Sequence, residues 1–331
     1  MKTAVIGAGG WGTALSILLA AKGLPVRLWV REAEVWEEME KNRVNTAFLP
    51  GFTLPAGVTF HRRLDEAMAN SEMAFIAVPS RFCRRLYQEL APWVTPQSVI
   101  VSLTKGLEET SLLRMSEVME EIFAPDRRPR VAVLSGPSFA REVAAGLPTA
   151  VVTASRDPET ARAVQHIVSG PSFRAYASAD VVGVEIAGAV KNTMAIAAGI
   201  SDALGFGHNS RAALITRGLA EMARLGVRCG AQRETFSGLA GLGDLILTCT
   251  GELSRNRRLG FELGRGRRLE DILSSTAMVV EGVPTAQSAR RLSEKLDLEM
   301  PINEQVYRVL YERKDPRQAL QELMARKLKE E

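Results

Sequence analysis

The chain has 331 residues, more than one hydrophobic core usually organises, so two domains are expected. An apolar fraction of 46% and a charged fraction of 24% are typical of an ordinary soluble globular protein. The net charge of +4 arises from 42 basic and 38 acidic residues interspersed along the chain, which gives no general case for nucleic-acid binding.

Cysteine usage and the N-terminal stretch both favour a cytoplasmic protein. Cys83, Cys229 and Cys249 are odd in number and far apart, which fits neither a disulfide framework nor metal-ligand spacing. The apolar start of the chain is superficially like a secretory signal, but its glycines within 7–12 fit an intact domain better. No run approaches the roughly 18–20 apolar residues that span a bilayer, so no membrane insertion is expected.

Up to about residue 180, short β-rich runs alternate with helical patterns. The predicted strands are Thr3–Ile6, Val26–Val30, Met73–Val78, Val99–Leu103, Arg130–Leu134 and Ala150–Ala154. The predicted helices are Trp11–Lys22, Glu34–Asn42, Arg81–Leu90, Ser111–Ile122 and Pro158–Val168. The segment 49–60, with two prolines and two glycines, is predicted to be a loop. The alternation predicts a Rossmann-like, doubly wound α/β fold with a parallel sheet that helices cover on both faces.

Beyond residue 180 the strand signal fades and a mostly α-helical C-terminal domain is predicted. Helical apolar spacing covers Val184–Leu204, Ser210–Leu225, Ser254–Gly264, Leu269–Ser275, Thr285–Leu296, Ile302–Tyr311 and Pro316–Lys329. We therefore expect an α/β domain over residues 1–180 and an all-α domain over residues 181–331.

The run GAGGWG at 7–12 follows the first strand and matches the G-x-G-x-x-G pattern at the start of a helix. A tight turn needs Gly7, close approach of a pyrophosphate needs Gly9, and packing of the helix on the strand favours Gly12. The helix start then presents N–H groups and a partial positive charge to the phosphates. The order strand, loop, helix predicts that the first domain binds a dinucleotide; the alternative is a merely glycine-rich turn.

The end of the second strand bears on the choice of cofactor. An acidic residue there suits the ribose 2′-hydroxyl of NAD, whereas a basic one suits the 2′-phosphate of NADP. The first charged residue is Arg31, followed by Glu32. Arg31 is a candidate to clamp a 2′-phosphate or stack on adenine, and a surface position at the helix start is the alternative. NADP and NAD both remain open.

Three further stretches place polar residues where a ligand would lie. Lys105 follows a strand's carboxyl end, which faces the ligand crevice in a doubly wound sheet, although a surface loop lysine is the ordinary alternative. The stretch 134–142 also follows a strand, and Ser138 is a candidate cap for a short helix there. Lys191 has small neighbours one helical turn away, which would admit a ligand and partly desolvate the amine, whereas most helical lysines are solvated.

The run GELSRNRRLG at 251–260 is strongly basic and follows a glycine-rich apolar block whose carboxylate is Asp244. Ser254 suits a helix N-cap, and a helix start with a guanidinium at Arg255 and an amide at Asn256 suits a single phosphate. On this run alone, an exposed basic helix face is an equal alternative. A nucleic-acid patch would need interleaved aromatic residues or a longer basic surface, and neither occurs.

Histidine chemistry and metal binding are not indicated. His61, His166 and His208 are scattered, with no i, i+4 pair and no nearby ligand pattern, so no metal is expected. The sequence also lacks the G-x-S-x-G elbow of a Ser–His–Asp hydrolase.

Taken together, the motifs resemble those of the bacterial NAD(P)-dependent glycerol-3-phosphate dehydrogenases. The matching blocks are, in chain order, GAGGWGTAL, SLTKGLE, LSGPSFAREVAAGLPTA, EIAGAVKNTMAIAAGI, TRGLAEMARLG, TFSGLAGLGDLILTCTGELSRNRRLG and VVEGVPTA. The resemblance runs over nearly the whole chain and implies reversible reduction of dihydroxyacetone phosphate to sn-glycerol 3-phosphate for phospholipid synthesis. It also implies NADP or NAD as cofactor, a cytoplasmic location and a homodimer.

Residue by residue, the resemblance implies that Lys191 is the proton donor and acceptor. The implied substrate contacts are Lys105, Gly136, Ser138, Lys191, Asp244, Ser254, Arg255 and Asn256. The implied cofactor contacts, beside the loop glycines, are Gly10, Trp11, Arg31, Lys105, Ala140, Arg255, Val279 and Glu281. Gly10 departs from the serine common in the family, which removes a side-chain hydrogen bond to the pyrophosphate but leaves the backbone N–H. His208 is a second departure, without an assigned role.

Two other functions remain open. A dehydrogenase of the 6-phosphogluconate or β-hydroxyacid type also has a Rossmann domain followed by helices with a lysine–asparagine pair, but the SRNRR and GLGDL runs argue against it. A non-catalytic dinucleotide sensor, with the helical domain used for dimerisation or partner binding, is the alternative of a different class.

Overall fold

The computed structural model describes residues 2–276 and 278–328. The strands in this part of the chain are β1 (Thr3–Ile6), β2 (Val26–Trp29), β3 (Val44–Asn45), β4 (Leu49–Thr53), β5 (Val58–His61), β6 (Met73–Ile76), β7 (Val99–Ser102), β8 (Arg130–Ser135), β9 (Thr149–Ala154) and β10 (Phe173–Ser178).

The helices begin in the α/β half and dominate after residue 180. In chain order they are α1 (Gly10–Ala21), α2 (Ala33–Asn42), α3 (Leu64–Met68), α4 (Ser80–Leu90), α5 (Met115–Ile122), α6 (Ala140–Ala144), α7 (Pro158–Val168), α8 (Val181–Ala203), α9 (Gly207–Arg228), α10 (Arg233–Ser237), α11 (Asp244–Thr250), α12 (Arg255–Gly264), α13 (Leu269–Ser274), α14 (Gly282–Lys295), α15 (Pro301–Tyr311) and α16 (Pro316–Met324). A π-helical turn, Leu239–Gly243, leads directly into α11.

Eight of the described strands form one sheet in the order β10-β9-β8-β7-β6-β1-β2-β5. Successive residues of β1 pack on opposite faces: Val5 lies in the cluster with Leu15 of α1, and Ile6 lies with Leu86 of α4. The strand order reverses at β1, so the carboxyl ends of β1, β2, β6 and β7 meet at one edge, where doubly wound sheets bind their ligands. The predicted fold class, a Rossmann-like sheet followed by helices, is confirmed.

The prediction of a parallel sheet is wrong at one pair, because β8 and β9 are antiparallel. A parallel return would need a helix long enough to carry the chain back along the strand. The five residues of α6 rise only about 8 Å, whereas the six residues of β8 extend about 20 Å. The chain therefore re-enters the sheet from the same edge.

Several other boundaries differ from the sequence prediction. The segment predicted as a loop at 49–60 contains β4 and most of β5, since its prolines mark the bends rather than the whole segment. The strand β10 was not predicted, and it pairs with β9 at the edge of the sheet. Helix α5 begins at Met115 rather than Ser111, and the Glu117 carboxylate accepts from the backbone N–H of Arg114 at the N-cap at 2.9 Å. The end of the predicted helix at Lys329 lies outside the described residues.

Helix α8 is the core of the helical half, and it corrects the expectation about apolar runs. Val181–Ala203 is long and apolar enough to cross a membrane by length and composition, with a mean hydropathy of 1.4. The most apolar 18-residue stretch of α8 is 89% buried inside the fold, because α9, α11, α12 and α14 pack around the helix. Its apolar composition is thus that of a helix with neighbours on all sides.

Close packing of α12 on α8 brings the basic run toward the middle of α8. A side chain at Gly199 would place its Cβ 1.9 Å from the carbonyl oxygen of Arg257, and one at Gly260 would lie 2.0 Å from that of Ile196. Only glycine permits the two backbones to approach so closely. The first turn of α12 consequently lies beside the part of α8 that carries Lys191.

Candidate active site

The glycine loop between β1 and α1 has the shape that a dinucleotide requires. Gly7 has φ +112°, and a Cβ there would lie 2.7 Å from the carbonyl oxygen of Ala77. A Cβ at Gly12 would lie 1.9 Å from the carbonyl oxygen of Gly7, whereas one at Gly9 would meet nothing within 4 Å. Two glycines are therefore needed for packing inside the turn, and Gly9 leaves backbone accessible beside the start of α1. This open backbone fits a pyrophosphate.

The residues after β8 lie against the start of α1. The indole nitrogen of Trp11 donates a hydrogen bond to the carbonyl oxygen of Ser138 at 3.0 Å. A Cβ at Gly10 would lie 3.8 Å from the Cβ of Ala140, the first residue of α6. The prediction that Ser138 caps this helix is wrong, because Phe139 holds the N-cap position and the Ser138 hydroxyl instead donates to the carbonyl oxygen of Gly136 at 3.0 Å.

A buried cluster of one carboxylate and two lysines lies at the junction of the sheet edge and α8. Lys191 Nζ donates to Asp244 Oδ1 at 2.6 Å, and Lys105 Nζ donates to Asp244 Oδ2 at 2.7 Å. Lys105 Nζ also donates to the carbonyl oxygen of Gly136 at 2.9 Å. Asp244 is 1% exposed and Lys191 is 5% exposed. Two cations thus share one buried anion, and the side chain of Lys105 is 18% exposed.

The electrostatics of the cluster favour a lysine that can gain and lose a proton. Burial lowers the pKa of Lys191 to about 8, Asp244 opposes that change, and the positive charge of Lys105 adds to it. Burial by itself would raise the pKa of Asp244, but the two ammonium groups outweigh burial and lower it. Asp244 therefore stays ionised, while Lys191 titrates much nearer to neutrality than a solvated lysine does.

Two residues of this cluster were not singled out from the sequence. Thr248 Oγ1 accepts a hydrogen bond from Lys191 Nζ at 2.6 Å. Asn192 Nδ2 donates to the carbonyl oxygen of Lys105 at 3.2 Å. The signal for Thr248 was its spacing, since it lies four residues after Asp244 and so faces the same side of α11. Asn192 follows Lys191 directly, but nothing in its local pattern distinguishes its side chain from a packed one.

The basic run divides into residues that border this cluster and residues that do not. Ser254 caps α12 by accepting from the backbone N–H of Arg257 at 3.2 Å, as predicted. Asn256 Nδ2 donates to Asn192 Oδ1 at 2.9 Å, which ties the start of α12 to the residue next to Lys191. Arg257 pairs with Asp202 at 2.7 Å, and the side chain of Arg258 is exposed.

Arg255 and the segment 279–282 form the other wall of the site. Arg255 is exposed, and its Nη1 donates to the carbonyl oxygen of Val279 at 2.9 Å. Glu281 is half-buried, desolvation raises its pKa, and its carboxylate accepts from the Ser80 hydroxyl at 2.7 Å and the Ser80 backbone N–H at 3.0 Å. This contact joins the segment to the start of α4, immediately after β6 and near the glycine loop.

Arg31 lies at the tip of β2, as predicted. Its guanidinium donates to Glu32 Oε1 from Nη2 at 2.9 Å and from Nε at 3.1 Å, and it stacks 5.2 Å from the ring centre of Phe82. The side chain of Arg31 is 58% exposed. It therefore lies at the edge of the site. Arg31 follows β2, on one side of β1, whereas Lys105 of the lysine cluster follows β7, on the other side.

A glycine loop open to a pyrophosphate, together with a buried lysine whose pKa is lowered, is the combination that a dehydrogenase with a nicotinamide dinucleotide needs. Comparison with known proteins gives the particular family. Models of the N-terminal and C-terminal parts of NAD-dependent glycerol-3-phosphate dehydrogenase match residues 2–161 and 180–321, and the chain belongs to that family.

Relatives and solved structures agree with this assignment. The chain is 55% identical to "Glycerol-3-phosphate dehydrogenase [NAD(P)+]" of Geobacter sulfurreducens over 330 residues, covering 100% of this chain and 98% of the relative. Its identity to the protein of the same description from Syntrophobacter fumaroxidans is 52%, covering 99% and 96%. A crystal structure of glycerol-3-phosphate dehydrogenase from Coxiella burnetii is 42% identical, with a TM-score of 0.94 over 98% of this chain and 99% of that one. The family, the class of enzyme and the dinucleotide cofactor inferred from the sequence are confirmed.

Proposed function

We propose that this enzyme reversibly reduces dihydroxyacetone phosphate to sn-glycerol 3-phosphate with NADH or NADPH and so supplies phospholipid synthesis. The observation that carries the proposal is the pair of lysines on Asp244, placed between the glycine-loop edge of the sheet and the start of α12. The glycine loop suits a dinucleotide, the lysine pair suits a proton transfer, and the start of α12 suits a phosphate.

Lys191 is the proposed proton donor and acceptor. When bound, the nicotinamide ring supplies the hydride to the substrate's C2 carbonyl, or accepts it from C2 in the reverse direction. Lys191 Nζ gives its proton to the oxygen on C2 during reduction and takes it back during oxidation. Asp244 Oδ1 and Thr248 Oγ1 each lie 2.6 Å from Nζ, and these two hydrogen bonds fix the orientation of the amine.

Lys105 and Asp244 position that amine and the substrate. Asp244 neutralises two ammonium groups that would otherwise repel each other, and its two oxygens hold them on either side of one carboxylate. Lys105 is also oriented by the carbonyl oxygen of Gly136, beside Ser138. We assign Lys105 and Asp244 as contacts of the substrate's oxygen atoms near C2. The fixed positive charge of the lysines there stabilises the C2 oxygen as it becomes an alkoxide.

The start of α12 is the proposed phosphate site. A helix N-terminus presents free backbone N–H groups, and Ser254, Arg255 and Asn256 surround this one. The hydrogen bond between Asn256 and Asn192 sets the distance from that terminus to Lys191. Anchoring the phosphate, which does not react, would position the carbonyl against the amine.

The cofactor contacts are proposed along the sheet edge and its opposite wall. They are Gly7, Gly9, Gly10, Trp11, Gly12, Arg31, Lys105, Ala140, Arg255, Val279 and Glu281. The contact of Glu281 with Ser80 supports this grouping, because it brings segment 279–282 to the end of β6, next to β1.

We also propose that residues 1–180 and 181–331 act as separate domains in a cytoplasmic homodimer. Light scattering on the purified protein tests whether it is a dimer.

A steady-state assay separates the proposed function from its rivals. Consumption of NADH or NADPH with dihydroxyacetone phosphate supports the proposal. Turnover only with a hydroxy acid would favour the β-hydroxyacid type, and no turnover with either cofactor would favour a dinucleotide sensor.

The pH dependence of the two directions should mirror the pKa of Lys191. Oxidation of glycerol 3-phosphate needs the neutral amine, so its kcat/KM should rise with pH and level off above about 8. Reduction needs the ammonium, so its kcat/KM should fall as pH rises through the same value. In Asp244→Asn the anion that favours the ammonium is lost, and both midpoints should move to lower pH; midpoints that stay in place would contradict the role given to Asp244.

Arg255→Gln should weaken substrate binding through the phosphate. Loss of a charge-assisted hydrogen bond predicts a KM for dihydroxyacetone phosphate raised roughly ten- to a hundredfold. Activity with unphosphorylated dihydroxyacetone should change much less. Arg258→Gln, an equal loss of charge on an exposed side chain of the same helix, is the matched control. Equal effects of the two variants would assign the change to the general field of the helix.

A further inference from the structure

Two arginines converge on one aromatic ring at the edge of the dinucleotide site. Arg31 follows β2, and its guanidinium carbon lies 5.2 Å from the ring centre of Phe82. Arg81 is the second residue of α4, which begins just after β6, and its guanidinium carbon lies 4.6 Å from the same centre. Because β2 and β6 flank β1 in the sheet, these cations come from the two strands on either side of the glycine loop.

The two arginines differ in their partners. Arg31 is bound by Glu32, whose Oε1 accepts from two of its nitrogens. Within the described ranges 2–276 and 278–328, Arg81 forms no hydrogen bond or ion pair; the one carboxylate on which its charge is seen to act is that of Glu281, whose raised pKa it opposes. The group of Arg31, Glu32 and Arg81 thus carries one net positive charge, with one guanidinium already engaged and the other available to a ligand.

This difference matches the one chemical difference between the two nicotinamide dinucleotides. A ribose 2′-hydroxyl can donate to a carboxylate such as that of Glu32, whereas a 2′-phosphate offers only acceptor oxygens and carries negative charge. A guanidinium binds a phosphate through parallel hydrogen bonds, and two guanidinium groups can share one phosphate. Arg81 therefore has a role with the phosphorylated cofactor that it lacks with the other.

We propose that Arg81 acts with Arg31 to bind the 2′-phosphate of NADP(H), and that the ring of Phe82, which both guanidinium groups contact, orients them. Arg81 is then a residue that determines cofactor preference, while Glu32 limits that preference by competing for Arg31. This inference rests on the dinucleotide dependence of the family and leaves the reaction at Lys191 unchanged.

Calorimetric titration with adenosine 2′,5′-bisphosphate and with 5′-AMP tests the proposal without turnover. In Arg81→Gln, the Kd for the bisphosphate should rise roughly ten- to a hundredfold, as for loss of a hydrogen bond to a charged group. The Kd for 5′-AMP should stay within about twofold. The ratio of kcat/KM for NADPH to that for NADH should fall by the same factor as the bisphosphate affinity.

Arg85→Gln is the matched control, because it removes the same charge from the same helix at a side chain that is 87% exposed and paired with Glu89. It should leave both Kd values near those of the unaltered protein. Glu32→Gln should tighten the bisphosphate several-fold, since Arg31 loses its competing partner.

Three results would overturn the proposal: an unchanged bisphosphate affinity in Arg81→Gln, an equal loss for both nucleotides, or the same loss in Arg85→Gln. The unaltered enzyme's turnover of dihydroxyacetone phosphate with NADH is measured alongside. If that turnover is absent, the proposed function fails, whereas the nucleotide affinities still decide the role of Arg81.

Discussion

Replacing Lys191 with methionine should lower the turnover number by about 10²–10⁴-fold, the usual contribution of a positioned acid–base group. Methionine keeps most of the buried volume but has no proton to transfer, so the loss should appear in kcat in both directions. Lys191→Ala should show a comparable loss of turnover and also a lower stability, because it leaves a cavity around a residue that is 5% exposed.

Cofactor affinity is the internal control for this result. Lys191 contacts Asp244 and Thr248, and the glycine loop lies on a different element, so the Kd for NADPH should stay within about twofold. Quenching of tryptophan fluorescence on titration with NADPH gives that Kd directly. Near-normal turnover in Lys191→Met, with the cofactor bound normally, would remove Lys191 from the mechanism.

Asp244→Ala should destabilise the fold by about 3–5 kcal/mol, the cost of removing one partner from a buried ion pair. The carboxylate is 1% exposed and accepts from both Lys105 and Lys191, so its loss leaves two ammonium groups facing each other without an anion. Unfolding in urea, followed by circular dichroism, measures the change in the free energy of unfolding.

A double-mutant cycle shows whether the destabilisation comes from the unpaired charge. If it does, Lys191→Met should cost less in the Asp244→Ala background than in the native one, because the second substitution removes one of the unpaired cations. Additive losses would instead assign the effect of Asp244→Ala to packing alone. The non-additive outcome should also raise the yield of folded protein for the double variant above that for Asp244→Ala.

The local features of the fold could be predicted from the sequence because each depends on neighbouring residues. The glycine loop is encoded by the three glycines of the G-x-G-x-x-G pattern, Gly7, Gly9 and Gly12, and the steric reasons for Gly7 and Gly12 hold whatever surrounds the turn. Ser254 could be identified as a helix cap because capping involves residues three apart. Ser138 was misjudged on the same grounds, since the hydroxyl has an alternative local acceptor in Gly136.

Pairings between distant segments could not be predicted in the same way. The antiparallel entry of β9 depends on how far α6 can carry the chain, and the burial of α8 depends on helices that follow it by up to a hundred residues. The apolar composition of α8 by itself is equally that of a membrane span, and only its neighbours distinguish the two.

The difference between what the sequence determines and what only the tertiary structure decides is clearest at the lysine cluster. By itself the sequence determined that Lys105 follows a strand and that Lys191 and Asp244 lie in apolar surroundings, because these are properties of short stretches. It also determined the family, through blocks of residues that occur in a constant order. Only the tertiary structure decided that two lysines, 139 and 53 residues from Asp244, share its two oxygens. The lowered pKa of Lys191 follows from that placement, because burial and neighbouring charge exist only once the chain has folded.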